Sequence, residues 1–293
     1  MDDQQNHGAG TAEKPAPSGS KRKRLYTAGA VVIIVIIAVV AVLSVSAHGS
    51  SLTALDNVSV NSSVLSQLSL IASNTTLANK VGAGIVSNLP VPASSGNLTA
   101  LTYNGKPGIL YLGADYCPFC AVTRWGLIMA LMRFGSFSSL HYMTSNTSAS
   151  EPYPGSPTFT FYNSSYSSSI IGFVGVEEYN HDHGPLQNVT AFENEIYQET
   201  DINNPELASD LKGGIPFIDF GNVTIQGAAP VSPSVIYQNN WQGIIANLSN
   251  PGTLQAQALV GEADVFTAQI CRVDNYTPSS VCDQPYIKKI LAS

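Results

Sequence analysis

The chain has 293 residues, a formal net charge of −7 and only 11% charged residues, about half the share usual for a soluble domain. That length accommodates one sizeable domain with appendages, or two small ones. The polar surface is left to Ser, Thr, Asn and Gly, and the lack of a basic patch to neutralise phosphates argues against nucleic acid as a partner.

Residues 1–24 are polar, without periodicity, and read as a disordered cytoplasmic tail. Lys14 and Lys21-Arg22-Lys23-Arg24 hold five of the 13 basic residues. Leu25 to Ala47 follows as an uncharged apolar stretch. At ~1.5 Å per residue it reaches about 34 Å, enough to cross a bilayer core. The basic cluster ahead of it places the N-terminus inside and the remainder outside. The expectation is a single-pass cell-membrane protein with an extracytoplasmic C-terminal domain. The alternative is a cleaved signal peptide ending at Val45-x-Ala47, against which the length of the apolar stretch counts.

Residues 48–79 are rich in Ser, Thr and Asn and read as a stalk, with one weak amphipathic pattern at Val64-Leu65-x-x-Leu68-x-Leu70-Ile71. Asn-x-Ser/Thr sequons stand at Asn57, Asn61, Asn74, Asn97, Asn146, Asn163, Asn188, Asn222, Asn247 and Asn275. None precedes the apolar stretch, a pattern that favours an exported glycoprotein. Residues 80–293 read as the extracytoplasmic domain. Leu89-Pro90-Val91-Pro92 rules out a central strand there, and Leu98–Tyr103 with Asn104-Gly105 predicts a short strand and turn.

Ile109-Leu110-Tyr111-Leu112 has the character of a buried parallel strand. It turns through Gly113-Ala114-Asp115-Tyr116 into Cys117-Pro118-Phe119-Cys120 and a long run of helix formers. A Cys-x-x-Cys between strand and helix is the setting for dithiol chemistry. The helix N-terminus offers unpaired N–H groups and partial positive charge, which favour the thiolate. Pro118 suits the first turn, where a missing N–H costs nothing. Pro118 and Phe119 sit between the sulfurs and tune potential and contact surface. Trp125 reads as core. Arg124 reads as a partly exposed neighbour able to lower the Cys117 pKa, and Asp115 as solvated.

Further on, Leu140–Thr144 predicts the next strand. A large insertion of about residues 147–212 comes next. Within it Thr158–Tyr162 and Ile170–Val176 predict a β-ribbon, and Val189–Asp201 with Leu207–Leu211 predict helix capped by Asn188 or Thr190. Glu177-Glu178-x-x-His181-Asp182-His183 is a second polar cluster. With Cys117 and Cys120 it suggests a copper carrier, but no ligand spacing supports a closed site, so a solvated loop is the expectation and no metal is assigned. Gly213-Gly214-Ile215-Pro216 opens an apolar strand, and Phe217–Phe220 with Val223–Gln226 form a hairpin through Gly221-Asn222. A short helix is expected at Gln242–Leu248 and a terminal helix over Thr253–Arg272. Four cysteines allow three pairings. Cys117–Cys120 closes at a helix start and Cys271–Cys282 closes a short loop, the second serving as a structural staple.

Gly113–Ala121, Arg124-Trp125 and Arg133-Phe134-Gly135 resemble the thioredoxin-like superfamily. More narrowly they resemble membrane-anchored archaeal proteins classed only as a domain of unknown function, over roughly residues 80–293. That resemblance implies an α/β, thioredoxin-like fold in which Leu140–Thr144 runs parallel to Ile109–Leu112 with the helix as crossover, and in which the insertion is placed before a cis-proline strand. It implies a cis bond at Pro216, with the Ile215 backbone open to pair with an incoming peptide. The implied activity is thiol–disulfide exchange by Cys117 and Cys120 without a cofactor. The implied partners are exported proteins that carry cysteines, and a redox partner in the membrane. Thioredoxins carry a buried Asp six residues before the first cysteine; here Tyr111 stands there, so proton handling by that acid is not inherited. Readings from other classes are a surface glycoprotein or binding module braced by two disulfides, and a metal-delivery protein.

Overall fold

A computed structural model describes residues 52–94 and 98–292. The expected tail (1–24) and transmembrane segment (25–47) lie outside these residues; among the described residues no helix is long and apolar enough to cross a membrane. In chain order come α1 (Ser62–Ala72), α2 (Thr75–Val81), β1 (Val91–Pro92), β2 (Thr102–Tyr103), β3 (Lys106–Gly113), α3 (Pro118–Leu131), β4 (Ser136–Thr144), β5 (Pro157–Ser167) and β6 (Gly172–Glu177). They are followed by α4 (Ala191–Tyr197), β7 (Phe217–Phe220), β8 (Thr224–Gln226), α5 (Trp241–Leu248), α6 (Gly261–Val273), α7 (Ser279–Cys282) and α8 (Pro285–Ala292).

The central sheet is built on β3. It pairs in parallel with β6, Gly108 opposite Gly172 through Gly113 opposite Glu177. On its other edge it pairs antiparallel with β7, Leu112 opposite Phe217. Beyond β7 lie β8 and then the two-residue edge strand β1, a place where Pro92 does no harm. The short β2 folds back on the start of β3 through Asn104-Gly105, both at positive φ. Successive side chains of a strand point to opposite faces. Ile109 and Tyr111 therefore enter one core with α1, α2, α3, α5 and α6, and Leu110 and Leu112 enter a second with Phe217, Ile225 and Ile196 of α4. Both faces are covered, which is why the strand reads as a continuous apolar run.

The strand expectations need one correction. Leu140–Thr144 does not lie beside β3; it belongs to β4, which pairs antiparallel with β5 in a separate two-stranded sheet. The parallel neighbour of β3 is β6, so the span expected as an insertion, about 147–212, contains a strand of the central sheet. Packing explains the exchange. A Cβ at Gly172 would come within 2.6 Å of Tyr103, and one at Gly175 within 2.9 Å of Phe161. These two glycines let β6 run flush beneath β2 and β5. The β4–β5 ribbon lies on α3 and β3 through aromatic contacts, Trp125 of α3 with Phe159 at 4.7 Å and Tyr111 of β3 with Phe161 at 4.9 Å.

Residues 62–81 correct the stalk expectation for 48–79. Asn61 and Asn74 cap α1 and α2, accepting from the Val64 and Leu77 N–H groups, each at 3.0 Å. Such caps satisfy N–H groups that the first turn cannot pair. Val64, Leu68, Ile71, Leu77 and Val81 are buried in the main core. Upstream, residues 57–60 run against β4 through Asn57 N–H to Tyr142 C=O and Val60 N–H to Leu140 C=O.

Thr190 caps α4 and forms a reciprocal pair with Glu193, as one of the two cap candidates predicts. Leu207–Leu211 is a series of turns rather than helix. Pro205 interrupts the run, and the Asn204 side chain donates to the carbonyls of Pro92, Ala93 and Thr200. The α6 helix ends in the Cys271–Cys282 disulfide, with a Cα separation of 5.6 Å. It is not the last helix, since α7 and α8 follow, and Tyr286 and Ile287 of α8 are buried in the main core.

Candidate active site

β3 ends at Gly113, and the chain turns through Ala114, Asp115 and Tyr116 onto α3. Cys117 is the helix N-cap, in extended conformation, and its Sγ accepts the Cys120 N–H at 3.2 Å. The sulfur thus occupies the position a capping oxygen takes in other helices. Pro118 follows in the first turn. Both cysteines are free thiols, Cys117 with 6% of its surface exposed and Cys120 with none. Hydrogen bonding from the Cys120 thiol lowers the Cys117 pKa; burial opposes this, while the Cys120 N–H and Arg124 assist. Burial pushes the Cys120 thiol well up, and its bond to Cys117 adds to that. The pair is therefore asymmetric, with Cys117 easier to ionise than an ordinary thiol and Cys120 harder.

The Ile215–Pro216 bond is cis, and Ile215 packs against Ala114, Cys117 and Cys120. The two sequence landmarks, about one hundred residues apart in the chain, thus meet at the sulfurs. Phe119 is 40% exposed and lies edge-on to Tyr153, 6.4 Å between centroids. Tyr116 stacks on His183 at 3.9 Å. The loop after β6 holds the cysteine turn in place. Glu178 N–H donates to Gly113 C=O, and Asp115 N–H donates to Tyr179 C=O. Asn146 donates its N–H to Tyr116 C=O and its side-chain N–H to His181 C=O.

Arg124 is not the partly exposed neighbour expected from the sequence. It is fully buried, one helical turn beyond Cys120. Its Nε donates to Tyr111 Oη at 3.1 Å and lies 3.0 Å from Glu177 Oε1. Nη1 donates to Phe159 C=O, and Nη2 to Ala114 C=O and Glu177 Oε2. Asp115 Oδ1 is 3.9 Å away. Asp115 too departs from expectation, at 1% exposure rather than solvated. A buried guanidinium is tolerated only when paired and hydrogen-bonded, and here five groups meet it. Gly113 makes room for one of them, because a Cβ there would collide with the Tyr111 hydroxyl. Burial pushes the Glu177 carboxyl up to about 8, while Arg124 pulls it down.

The cluster Glu177 to His183 disperses. Glu177 lies under Arg124, His181 faces Thr144 C=O and Asp56, and His183 bonds Glu151 at 3.0 Å. Among the described residues the grouping spaced for a metal is Cys271, Asp274 and Cys282, whose sulfurs are joined in the disulfide. Glu177 and Asp115, read from the sequence as part of a solvated loop and as a solvated turn residue, are instead buried site groups. The available signal was Arg124 itself: a lone charge in the apolar run Val122–Met132 demands a buried carboxylate from elsewhere.

No curated protein and no solved structure matches the chain. A family model does, over residues 96–272, from the end of the N-terminal region to the last turn of α6 and including the cysteine turn, Arg124, Glu177 and Pro216. The chain accordingly belongs to the family described as Domain of unknown function (DUF929).

Proposed function

We propose that the chain is a thiol–disulfide oxidoreductase of thioredoxin-like fold, held at the cell membrane by residues 25–47 and acting on exported proteins that carry cysteines. What supports the fold reading is the order β6–β3–β7–β8, with β6 parallel and β7 antiparallel to β3, a helix after each of the two parallel strands, and α6 after the hairpin. The observation that carries the activity is the Cys117 sulfur, seated on the α3 N-terminus with Cys120 N–H donating to it and Ile215 beside it.

In this reading the Cys117 thiolate attacks a substrate disulfide, releasing one substrate thiolate and forming a mixed disulfide. Cys120 loses its proton and attacks Cys117, closing the internal disulfide and releasing the second substrate thiolate. The reverse sequence oxidises a substrate dithiol, the direction suited to an extracytoplasmic location. In the same reading the Ile215 backbone pairs with the polypeptide being exchanged, and Pro118 and Phe119 shape the approach. Cys271–Cys282, buried at the end of α6, serves as a brace. The metal-delivery alternative has no comparable support, because Glu177, His181 and His183 each face different partners.

The test is the Cys120→Ser variant. It is expected to accumulate reductant-sensitive adducts through Cys117 with exported proteins, absent in the Cys117→Ser/Cys120→Ser double variant. A Cys120→Ser protein that forms no mixed disulfide, even with a small model disulfide, would overturn the reading.

A further inference from the structure

Ten Asn-x-Ser/Thr sequons follow the apolar stretch, and the dithiol chemistry makes no use of them. The chain also has few charges to keep its surface solvated, 11% of residues. A sequon is an acceptor for N-linked sugar only where it lies on the surface. Both the asparagine amide and the hydroxyl two residues on must then be presented to solvent. Asn97 lies outside the described residues, and the fold sorts the other nine into two groups.

Three are closed. Asn146 is 9% exposed; its Nδ2 donates to His181 C=O at 2.8 Å, and its Oδ1 accepts the Ser148 N–H. Its own backbone N–H holds the cysteine turn at Tyr116 C=O. Asn222 donates from Nδ2 to Thr99 C=O at 2.7 Å. The Thr224 of that sequon is buried in β8, with Oγ1 donating to Gln269. Asn247 stands half-buried inside α5, where the backbone is held helical and Nδ2 donates to Gln255 Oε1 at 3.3 Å.

Six are open: Asn57, Asn61, Asn74, Asn163, Asn188 and Asn275. In each, the asparagine and the Ser or Thr two positions on are both exposed. None of these six Nδ2 groups bonds another group among the described residues. Asn57, Asn163 and Asn275 have φ of 64°, 56° and 57°, turn positions that asparagine tolerates. Asn61 and Asn74 cap α1 and α2 through Oδ1, which leaves Nδ2, the atom that would be modified, unengaged.

We propose that these six asparagines carry N-linked glycans added outside the membrane, and that Asn146, Asn222 and Asn247 stay bare. This rests on the extracytoplasmic part of the reading above and not on the dithiol. The donor is a sugar chain joined through its anomeric carbon to a lipid phosphate. Nδ2 bonds that carbon, the bond from the carbon to the phosphate oxygen breaks, and the lipid phosphate leaves. One Nδ2 proton goes to solvent, and no electrons are exchanged. Attachment keeps Oδ1 as an acceptor, so the caps of α1 and α2 persist. Sugar hydroxyls hydrate a surface short of charge, and no glycan is rooted at the asparagine that holds the cysteine turn.

The experiment maps glycopeptides by mass spectrometry on the full chain, purified from the membranes of its own cells. The intact cells are first treated with a membrane-impermeant amine reagent, read at Lys288, an exposed side chain. Sugar is expected on peptides holding the six open asparagines and on none holding the three closed ones. Replacing the six by Gln removes all glycan mass, whereas Asn247→Gln leaves it unchanged. Should the sixfold variant not fold, the wild-type map decides alone. Sugar on Asn146, Asn222 or Asn247 overturns the inference, as do bare asparagines throughout in a protein labelled at Lys288; the extracytoplasmic placement then stands. Bare asparagines with Lys288 unlabelled overturn that placement together with this inference, and the Cys120→Ser adducts test the dithiol independently.

Discussion

Asp219 sits in the middle of β7, fully buried, with the Asn222 N–H donating to Oδ1 at 2.6 Å. Burial raises its pKa from 3.8 to about 7, against the pull of the Asn222 N–H and the Thr200 side chain. The consequence for stability has a definite sign. Below the unfolded value both states are protonated and the group contributes nothing. Between 3.8 and about 7 the unfolded chain gives up the proton while the folded chain keeps it, so stability falls as pH rises. Above about 7 the full penalty applies. At about 1.4 kcal/mol per unit, the shift from 3.8 to about 7 corresponds to about 4 kcal/mol. Asparagine cannot ionise and keeps an oxygen for the Asn222 N–H. Asp219→Asn is therefore expected to match wild type within about 1 kcal/mol at pH 4 and to be more stable by about 2–4 kcal/mol at pH 8. Urea unfolding at pH 4, 6 and 8 measures this. A difference between the two proteins that stays the same across that range would refute the reasoning. The same sign applies to Asp264, raised by burial to about 7, and to Asp56 and Asp274, raised by burial to about 6. The wild-type fold is thus expected to gain stability toward acid.

Gly113→Ala places a methyl group against the Tyr111 hydroxyl and displaces it from Arg124. The expected loss is about 1–3 kcal/mol of unfolding free energy, the range for an overpacked core, and unchanged urea unfolding would count against the network. Replacing Cys271 and Cys282 together by Ala opens a loop of sequence separation 11. On chain entropy this costs about 3 kcal/mol, read as a lower denaturation midpoint under oxidising conditions. An unchanged midpoint would remove its role as a brace.

Much of the site was legible in the chain because its signals are local. A buried strand, a small-residue turn, Cys-Pro-Phe-Cys and a run of helix formers lie within one stretch, and the cap geometry at Cys117 follows from that order alone. Gly213–Phe220 is equally local, and so is the hairpin closed by Gly221-Asn222. The cysteine pairing Cys271–Cys282 needed only a short loop at a helix end. The polar segment 62–81 was harder. Its Ser and Asn content resembles a spacer, and its two helices depend on Asn caps and on apolar positions that gain meaning only when a core is present to receive them.

What the sequence by itself determined is where the sulfurs stand: local backbone preference puts Cys117 on a helix N-terminus whatever surrounds it. What only the tertiary structure decided is which strand lies beside β3, and with it which acid meets Arg124. Leu140–Thr144 and Gly172–Glu177 are both plausible strands by pattern. The choice between them rests on close approaches at Gly172 and Gly175 and on an aromatic ribbon packed over α3, all contacts between distant parts of the chain. Pairing β6 with β3 carries Glu177 to the foot of the cysteine turn. A charge buried in an apolar helix announces that it needs a partner, but hydrogen-bond reach is a property of space, and only the folded chain brings that partner within 3 Å.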